Sequence, residues 1–138
     1  MRNISVVFVL LFFVGCQWDS SSYSLPNDYV ISWVDLPNYR NIHKEGSSMA
    51  IRPHVFEVGF NEEYIIAKQH PQVGEFQDAN TDKTRLNYYI LKMEKNNIKE
   101  KIWGALTLEE FVNLSLELGI SDIEFTIKYK VDESTRVD

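Results

Sequence analysis

The chain has 138 residues, a length typical of one domain. Hydrophobic residues make up 44% of it and charged residues 25%, as in a folded globular protein rather than a disordered one. Its 14 basic and 20 acidic residues give a formal net charge of −6. Nucleic-acid binding depends on lysine and arginine neutralising phosphates, and the sequence has no basic stripe, so we expect no nucleic-acid partner.

The first residues have the composition of an export signal. Arg2 supplies a positive charge, and the residues from Ile4 to Val14 are apolar except for Ser5. A run of this length fits a secretory signal and is shorter than the roughly 20 residues that a membrane-spanning helix needs. We therefore predict a signal peptide over residues 1–15.

Cys16 is the only cysteine in the sequence, and it follows the apolar run directly. The segment Phe13-Val14-Gly15-Cys16 resembles the lipobox of bacterial lipoproteins, although Phe13 stands where that family usually has leucine. The resemblance implies cleavage before Cys16, acylation of its sulfur and attachment to a bacterial membrane. A secretory signal without lipid, followed by an unrelated cysteine, is the alternative. Loss of Arg2 with the signal would leave 13 basic and 20 acidic residues, a net charge of −7.

The sequence after Cys16 predicts a tether, a domain and a tail. Residues 16–24 are rich in serine and predict a flexible tether, which would keep the domain close to the membrane. A turn signal at residues 25–28 marks the start of a single domain, which we place at 25–130. The charged and polar residues 131–138 predict a frayed tail.

Short apolar and alternating runs predict an antiparallel sheet. Val55–Phe60 and Tyr64–Gln69 are joined by a connection of hairpin length, and Leu86–Met93, apolar on both faces, predicts a central strand. Further strands are expected at Tyr29–Val34, on both sides of a loop at Lys44–Ser48, at Ile98–Trp103 and at Ile123–Tyr129. The polar stretch His70–Thr84 predicts a surface loop.

The clearest predicted element is an amphipathic helix over about 107–118. Thr107 and Glu110 have the spacing of a capping box, and Gly119 follows where a left-handed residue ends a helix. One broad arc of the helix is apolar and has the small Ser115 at its middle. The opposite side carries Glu109, Glu110, Asn113 and Glu117. The predicted fold class is α+β: an antiparallel sheet of about five to seven strands with this helix packed on one face.

The order of several short segments resembles a family of small uncharacterised bacterial lipoproteins. The resemblance covers roughly Tyr29 to Ile120. Its segments are Gly59-Phe60-Asn61, Tyr64 to Pro71, Tyr88-Tyr89-Ile90, Gly104 to Phe111 and Leu118-Gly119-Ile120. The family brings no known activity, so the resemblance implies a fold and a cellular address only.

The residues that could carry catalysis do not form a recognisable set. His43, His54 and His70 are the only histidines, and none forms a closely spaced pair of the kind that binds metals. They are expected to be solvated or singly bonded, with convergence in the folded sheet as the alternative. Ser47 and Ser48 follow a glycine but lack the strand-turn-helix context of a nucleophile. We predict no catalytic residue, no metal and no cofactor.

Three residues are candidates for binding. Glu57 lies between apolar residues in a predicted strand, where it faces solvent or forms part of a site. Lys68 and His70 mark the point where an apolar strand enters a long loop, a common location for binding residues. A strand that simply runs into solvent is the alternative. The acidic side of the helix is expected to be solvated, with an acidic docking patch as its alternative.

These observations favour a non-enzymatic binding module that is exported and anchored by lipid at the cell envelope. Its expected partners are the membrane, through Cys16, and another envelope protein. One alternative is a small envelope hydrolase that uses His54 or His70 with Glu57. The other is a passive structural protein of the envelope.

Overall fold

The structure is a computed structural model, and it describes residues 20–34, 39–73 and 80–130. The predicted signal peptide, Cys16 and the tail at 131–138 lie outside the described residues. Within the described ranges, no helix has the length and hydropathy needed to cross a bilayer.

The described residues form eleven strands, a 3-10 helix at Pro26–Asp28 and one α-helix, α1, at Leu108–Glu117. The strands are β1 (Ser20–Ser24), β2 (Tyr29–Val34), β3 (Asn41–Lys44), β4 (Met49–Ile51), β5 (Val55–Phe60), β6 (Tyr64–Gln69), β7 (Gln72–Val73), β8 (Asn80–Thr81), β9 (Asn87–Lys92), β10 (Lys101–Leu106) and β11 (Ile127–Lys128). Every pairing between them is antiparallel.

Two main sheets account for most of the described strands. One has four strands in chain order, β1-β2-β3-β4, and the other has five strands in the order β10-β9-β6-β5-β11. The short strands β7 and β8 pair within the predicted loop His70–Thr84. The α+β class is consistent with this arrangement, but the strands form two main sheets where the sequence predicted one. Periodicity shows which face of a strand is buried and does not show which sheet the strand joins.

The core lies on both faces of the five-stranded sheet. In β6, Ile65 and Ala67 belong to a layer between the two sheets, which we call the inter-sheet layer. Tyr64 and Ile66 point the other way, into a layer beneath α1, which we call the helix layer. This alternation follows from the pleat of a strand, whose successive side chains point to opposite faces. The molecule is therefore stacked as four-stranded sheet, five-stranded sheet and helix.

The prediction of a central strand over Leu86–Met93 is confirmed by β9. This strand pairs with β6 on one side and β10 on the other. Ile90 and Leu91 are both completely buried, the first in the helix layer and the second in the inter-sheet layer. Burial on both faces explains why the sequence here is apolar without alternation.

The structure differs from the prediction at residues 20–24, which were expected to belong to the tether but form β1. This strand pairs with β2 along its whole length. Backbone hydrogen bonds hold such a pairing without apolar side chains, so a serine-rich segment carries no signal of a strand. Only three residues, 17–19, separate Cys16 from the sheet.

The last predicted strand, Ile123–Tyr129, is also shorter in the structure. Only Ile127 and Lys128 pair with β5, and the residues before them cross the helix side of the sheet. Gly59 makes this path possible, because a β-carbon at that position would overlap the backbone carbonyl of Glu124. An apolar segment can therefore be buried without joining a ladder.

The fully buried Tyr29 links the two sheets at one end of the inter-sheet layer. Its hydroxyl donates to Oε2 of Glu100 at 2.5 Å and accepts from the backbone N–H of Glu94 at 2.9 Å. Both glutamates lie in the connection between β9 and β10. Burial first, and then the bond to Glu100, raise the pKa of the Tyr29 hydroxyl above its usual value.

We expect this hydroxyl to make stability sensitive to alkaline pH. An unfolded tyrosine ionises near pH 10, whereas the raised pKa keeps Tyr29 protonated in the folded state, so its contribution is lost as the pH rises above about 10. Tyr29→Phe should lower the free energy of unfolding by roughly 1–3 kcal/mol at neutral pH and flatten its decline above pH 10. Denaturant titrations between pH 7 and 11 measure both effects. An unchanged alkaline slope would contradict this role of Tyr29.

Candidate functional site

The structure brings together two of the three predicted binding residues. Glu57 and Lys68 face each other across β5 and β6, with Lys68 Nζ 2.6 Å from Glu57 Oε2. Both side chains are about one-fifth exposed, at 20% and 23%. The ammonium also lies 4.5 Å from the ring centroid of Phe125. The pair therefore secures the edge of the helix layer, and each charge already has its partner.

His70 is engaged separately. Its ring stacks on Phe56 with the centroids 4.4 Å apart, and Nδ1 donates to the backbone carbonyl of Arg85 at 2.9 Å. The neighbouring Gln69 is buried, and its side-chain amide donates to the carbonyl of Arg52. The polar end of β6 thus makes several contacts within the fold.

The other histidines have different neighbours. His43 Nδ1 lies 2.8 Å from Oδ1 of Asn41 in the four-stranded sheet. The buried His54 has its Nδ1 3.1 Å from the Thr81 hydroxyl. Over residues 20–34, 39–73 and 80–130, no group of three or more potential metal-ligating side chains occurs. Glu57 is thus paired with Lys68, while His54 and His70 contact Thr81 and Arg85.

The helix offers a better candidate, and the sequence predicts its start correctly. The capping box is confirmed: Thr107 Oγ1 accepts from the backbone N–H of Glu110 at 3.2 Å, and Glu110 Oε2 accepts from that of Thr107 at 3.0 Å. Gly119 follows the helix with φ +71°, the left-handed conformation expected there. These local features define where α1 begins and ends.

Only part of the apolar arc of α1 packs on the sheet. Phe111, Leu114 and Leu118 contact the helix layer, and the Phe111 ring stacks on Tyr88 with the centroids 4.8 Å apart. The remaining apolar side chains, which we call the exposed stripe, are Leu108, Val112 and Leu116, at 57%, 45% and 63% exposure. The arc predicted from the sequence is thus divided into a buried and an exposed half.

A groove of about 150 Å³ runs beside the exposed stripe. It is lined by Phe111, Val112, Ser115, Leu116, Ile120, Ser121 and Ile123. Ser115 is only 4% exposed, and its hydroxyl has no hydrogen-bond partner among the described residues. Buried polar groups are nearly always hydrogen-bonded, so this hydroxyl requires an explanation.

The surroundings of the groove are acidic. Between Thr107 and Thr126 the sequence has five carboxylates and no lysine or arginine. The carboxylates, all on exposed residues, are Glu109, Glu110, Glu117, Asp122 and Glu124. The acidic side of the helix was predicted from the sequence, but the apolar groove beside it was not. The one sequence signal for the groove was the apolar arc of the helix, which is wider than contact with a single sheet requires.

Comparison with known proteins places the chain in a family. No curated protein and no solved structure matches it. The family described as "protein of unknown function (DUF3997)" matches residues 26–132, which cover nearly all of the described fold and leave out the predicted signal. This fits the resemblance to an uncharacterised family. Because the match spans most of the sequence, the chain belongs to the DUF3997 family.

Proposed function

We propose that this protein is an exported lipoprotein, held at a bacterial membrane through acyl chains on Cys16, whose domain binds another envelope protein. The binding surface is the exposed stripe of α1 together with the adjoining groove. The observation that carries the binding role is the alignment of Leu108, Val112 and Leu116, exposed beside a groove with a buried hydroxyl.

The anchor is supported by the position of Cys16. The only cysteine of the chain follows an apolar run and precedes the first strand, which begins at Ser20. Four residue steps reach at most about 14 Å when fully extended. The lipid would therefore hold the four-stranded sheet directly at the membrane surface, and a partner would also have to be in the envelope.

The exposed stripe supports a binding role because its residues are contiguous. Single exposed apolar side chains are common and need no explanation, whereas grouped ones mark interaction surfaces. The three residues are spaced at i, i+4 and i+8 on α1, so they form one ridge on the helix surface. The groove continues this apolar surface onto Ile120 and Ile123.

The lipid anchor is tested by mass spectrometry of the chain expressed in a bacterium. We expect an N-terminal peptide that begins at Cys16 and carries acyl chains, and a protein that sediments with membranes. Cys16→Ser should abolish both acylation and membrane association, whereas Ser22→Ala, a matched change in the exposed part of β1, should leave both intact. A bare sulfur or an intact leader would overturn the anchored role.

The binding role is tested by a photoreactive side chain placed at Leu116 and, as a control, at Met49. Both positions are apolar and exposed, at 63% and 52%, but Met49 lies in the four-stranded sheet. We expect a discrete envelope-protein adduct, identified by mass spectrometry, from Leu116 only. Equal labelling from both positions, or none from Leu116, would contradict a binding surface on α1 and favour the passive structural role.

A further inference from the structure

We infer that the groove beside α1 accepts a cationic amphipathic helix of a partner protein. This rests on the proposed binding role and adds the chemistry of the ligand. The three observations that carry it are the exposed stripe, the carboxylates that surround it and the buried hydroxyl of Ser115.

The shape of the surface fits a helix. Leu108, Val112 and Leu116 stand four residues apart and form a ridge about 12 Å long at 1.5 Å per residue. Ridges of this spacing pack into the grooves of a second helix, the commonest mode of helix packing in globular proteins. The groove beside the stripe would in turn receive apolar side chains of that second helix.

The charge of the surface selects the ligand. Glu109 and Glu117 lie on α1 next to the stripe, and Asp122 lies beside the groove residues Ser121 and Ile123. No basic residue occurs between Thr107 and Thr126, and the nearby Lys68 is already paired with Glu57. Lysine and arginine on either side of an apolar ridge would therefore meet carboxylates.

The same charge argues against two other occupants. A second copy of the chain would bring the same carboxylates against each other, and like charges across an interface are unfavourable. A surface of anionic lipid would be repelled for the same reason. A cationic segment is the occupant that the surface complements.

Ser115 supplies the polar contact inside the apolar groove. Ser115 lines the groove together with Val112 and Leu116, and its buried hydroxyl lacks a partner among the described residues. A hydroxyl oxygen accepts hydrogen bonds, so it can receive an N–H of a lysine or arginine on the bound helix. A bound helix that reaches this hydroxyl would give it a hydrogen-bond partner.

The test uses the full-length chain in zwitterionic nanodiscs and three 18-residue peptides. All peptides carry the same leucine ridge, and their polar positions are lysine, glutamine or glutamate. We expect the lysine peptide to bind at least tenfold more tightly than the glutamate peptide, as measured by biolayer interferometry at low salt, with the preference reduced at high salt. The Leu116→Ser variant in the same nanodiscs is the reference, and its signal, which reports binding of the peptides to lipid, is subtracted.

Three sets of variants locate the contact. Changing Glu109, Glu117 and Asp122 to their amides should weaken the lysine peptide roughly three- to thirtyfold. Changing the exposed Glu45, Glu62 and Glu63 to glutamine removes the same charge elsewhere and should have no such effect. Ser115→Ala should weaken binding of the lysine peptide severalfold without lowering the melting temperature, because it removes a hydroxyl that has no hydrogen-bond partner among the described residues.

The outcomes separate the two proposals. Equal binding of all three peptides, abolished by Leu116→Ser, would overturn the cationic ligand and leave the binding surface in place. If no peptide bound and Leu116 gave no discrete adduct, both the cationic ligand and the binding surface on α1 would be overturned. Self-association of the chain through α1, or insertion of α1 into nanodiscs that blocks every peptide, would also overturn the inference.

Discussion

Replacing either Ile65 or Ile66 by alanine is expected to lower the free energy of unfolding by about 2–5 kcal/mol. The two residues are adjacent in β6 and point to opposite faces, yet they are 0% and 1% exposed. If one face of the sheet were exposed to solvent, one of the two substitutions would lower the free energy of unfolding only slightly. Similar losses from both would show that the five-stranded sheet is covered on each side, and guanidinium titration measures them.

The two variants should differ in where the structure loosens. Ile66 belongs to the helix layer, so its truncation should speed amide hydrogen exchange in α1. Ile65 belongs to the inter-sheet layer, so its truncation should speed exchange in the strands that face this layer. Val73→Ala is the matched control, because this side chain is 51% exposed and its truncation should change stability by less than about 0.5 kcal/mol. A negligible effect of Ile66→Ala would contradict the packing of α1 on the sheet.

The parts of the fold that sequence reasoning predicted are those determined by neighbours in the chain. The capping box joins Thr107 to Glu110, three residues away, and the β5–β6 hairpin needs only its own two runs and a short turn. Both signals are complete within a short window. Their bounds in the structure agree closely with the prediction.

What the sequence did not predict depends on distant contacts. The division into two sheets follows from which faces meet across the core, and β1 exists because β2 offers it a paired edge. The polar end of β6 was expected either to bind a ligand or to run into solvent, but Asn87 and Tyr89 in β9 donate hydrogen bonds to the side-chain carbonyl of Gln69. Such partners cannot be read from the polarity of one segment.

The candidate site was missed for a related reason. The apolar arc of the helix was visible, but its division into a packed and an exposed half depends on how far the sheet extends beneath α1. The segment after Gly119 completes the groove with Ile120 and Ile123, and its path across the sheet is not encoded in its own pattern. That path depends instead on Gly59.

Gly59→Ala is expected to lower the free energy of unfolding by about 1–3 kcal/mol and to disturb the groove. The added β-carbon would overlap the carbonyl oxygen and carbon of Glu124, which are backbone atoms and cannot move aside as a flexible side chain would. The segment before β11 must then lift from the sheet. The hydrogen bonds from Thr126 N–H to Val58 and from Tyr129 N–H to Phe56, at 3.1 and 2.8 Å, should weaken.

Amide hydrogen exchange at Thr126 and Tyr129 measures this effect directly. Gly46→Ala is the control, because a β-carbon there meets nothing within 4 Å although φ is +77°. Gly46→Ala should lower the free energy of unfolding by only roughly 1–2 kcal/mol, because alanine is disfavoured in the left-handed conformation. It should leave hydrogen exchange near β11 unchanged. Unaltered stability and exchange in Gly59→Ala would contradict the close contact between β5 and the Glu124 backbone. They would also contradict our explanation of how the groove forms.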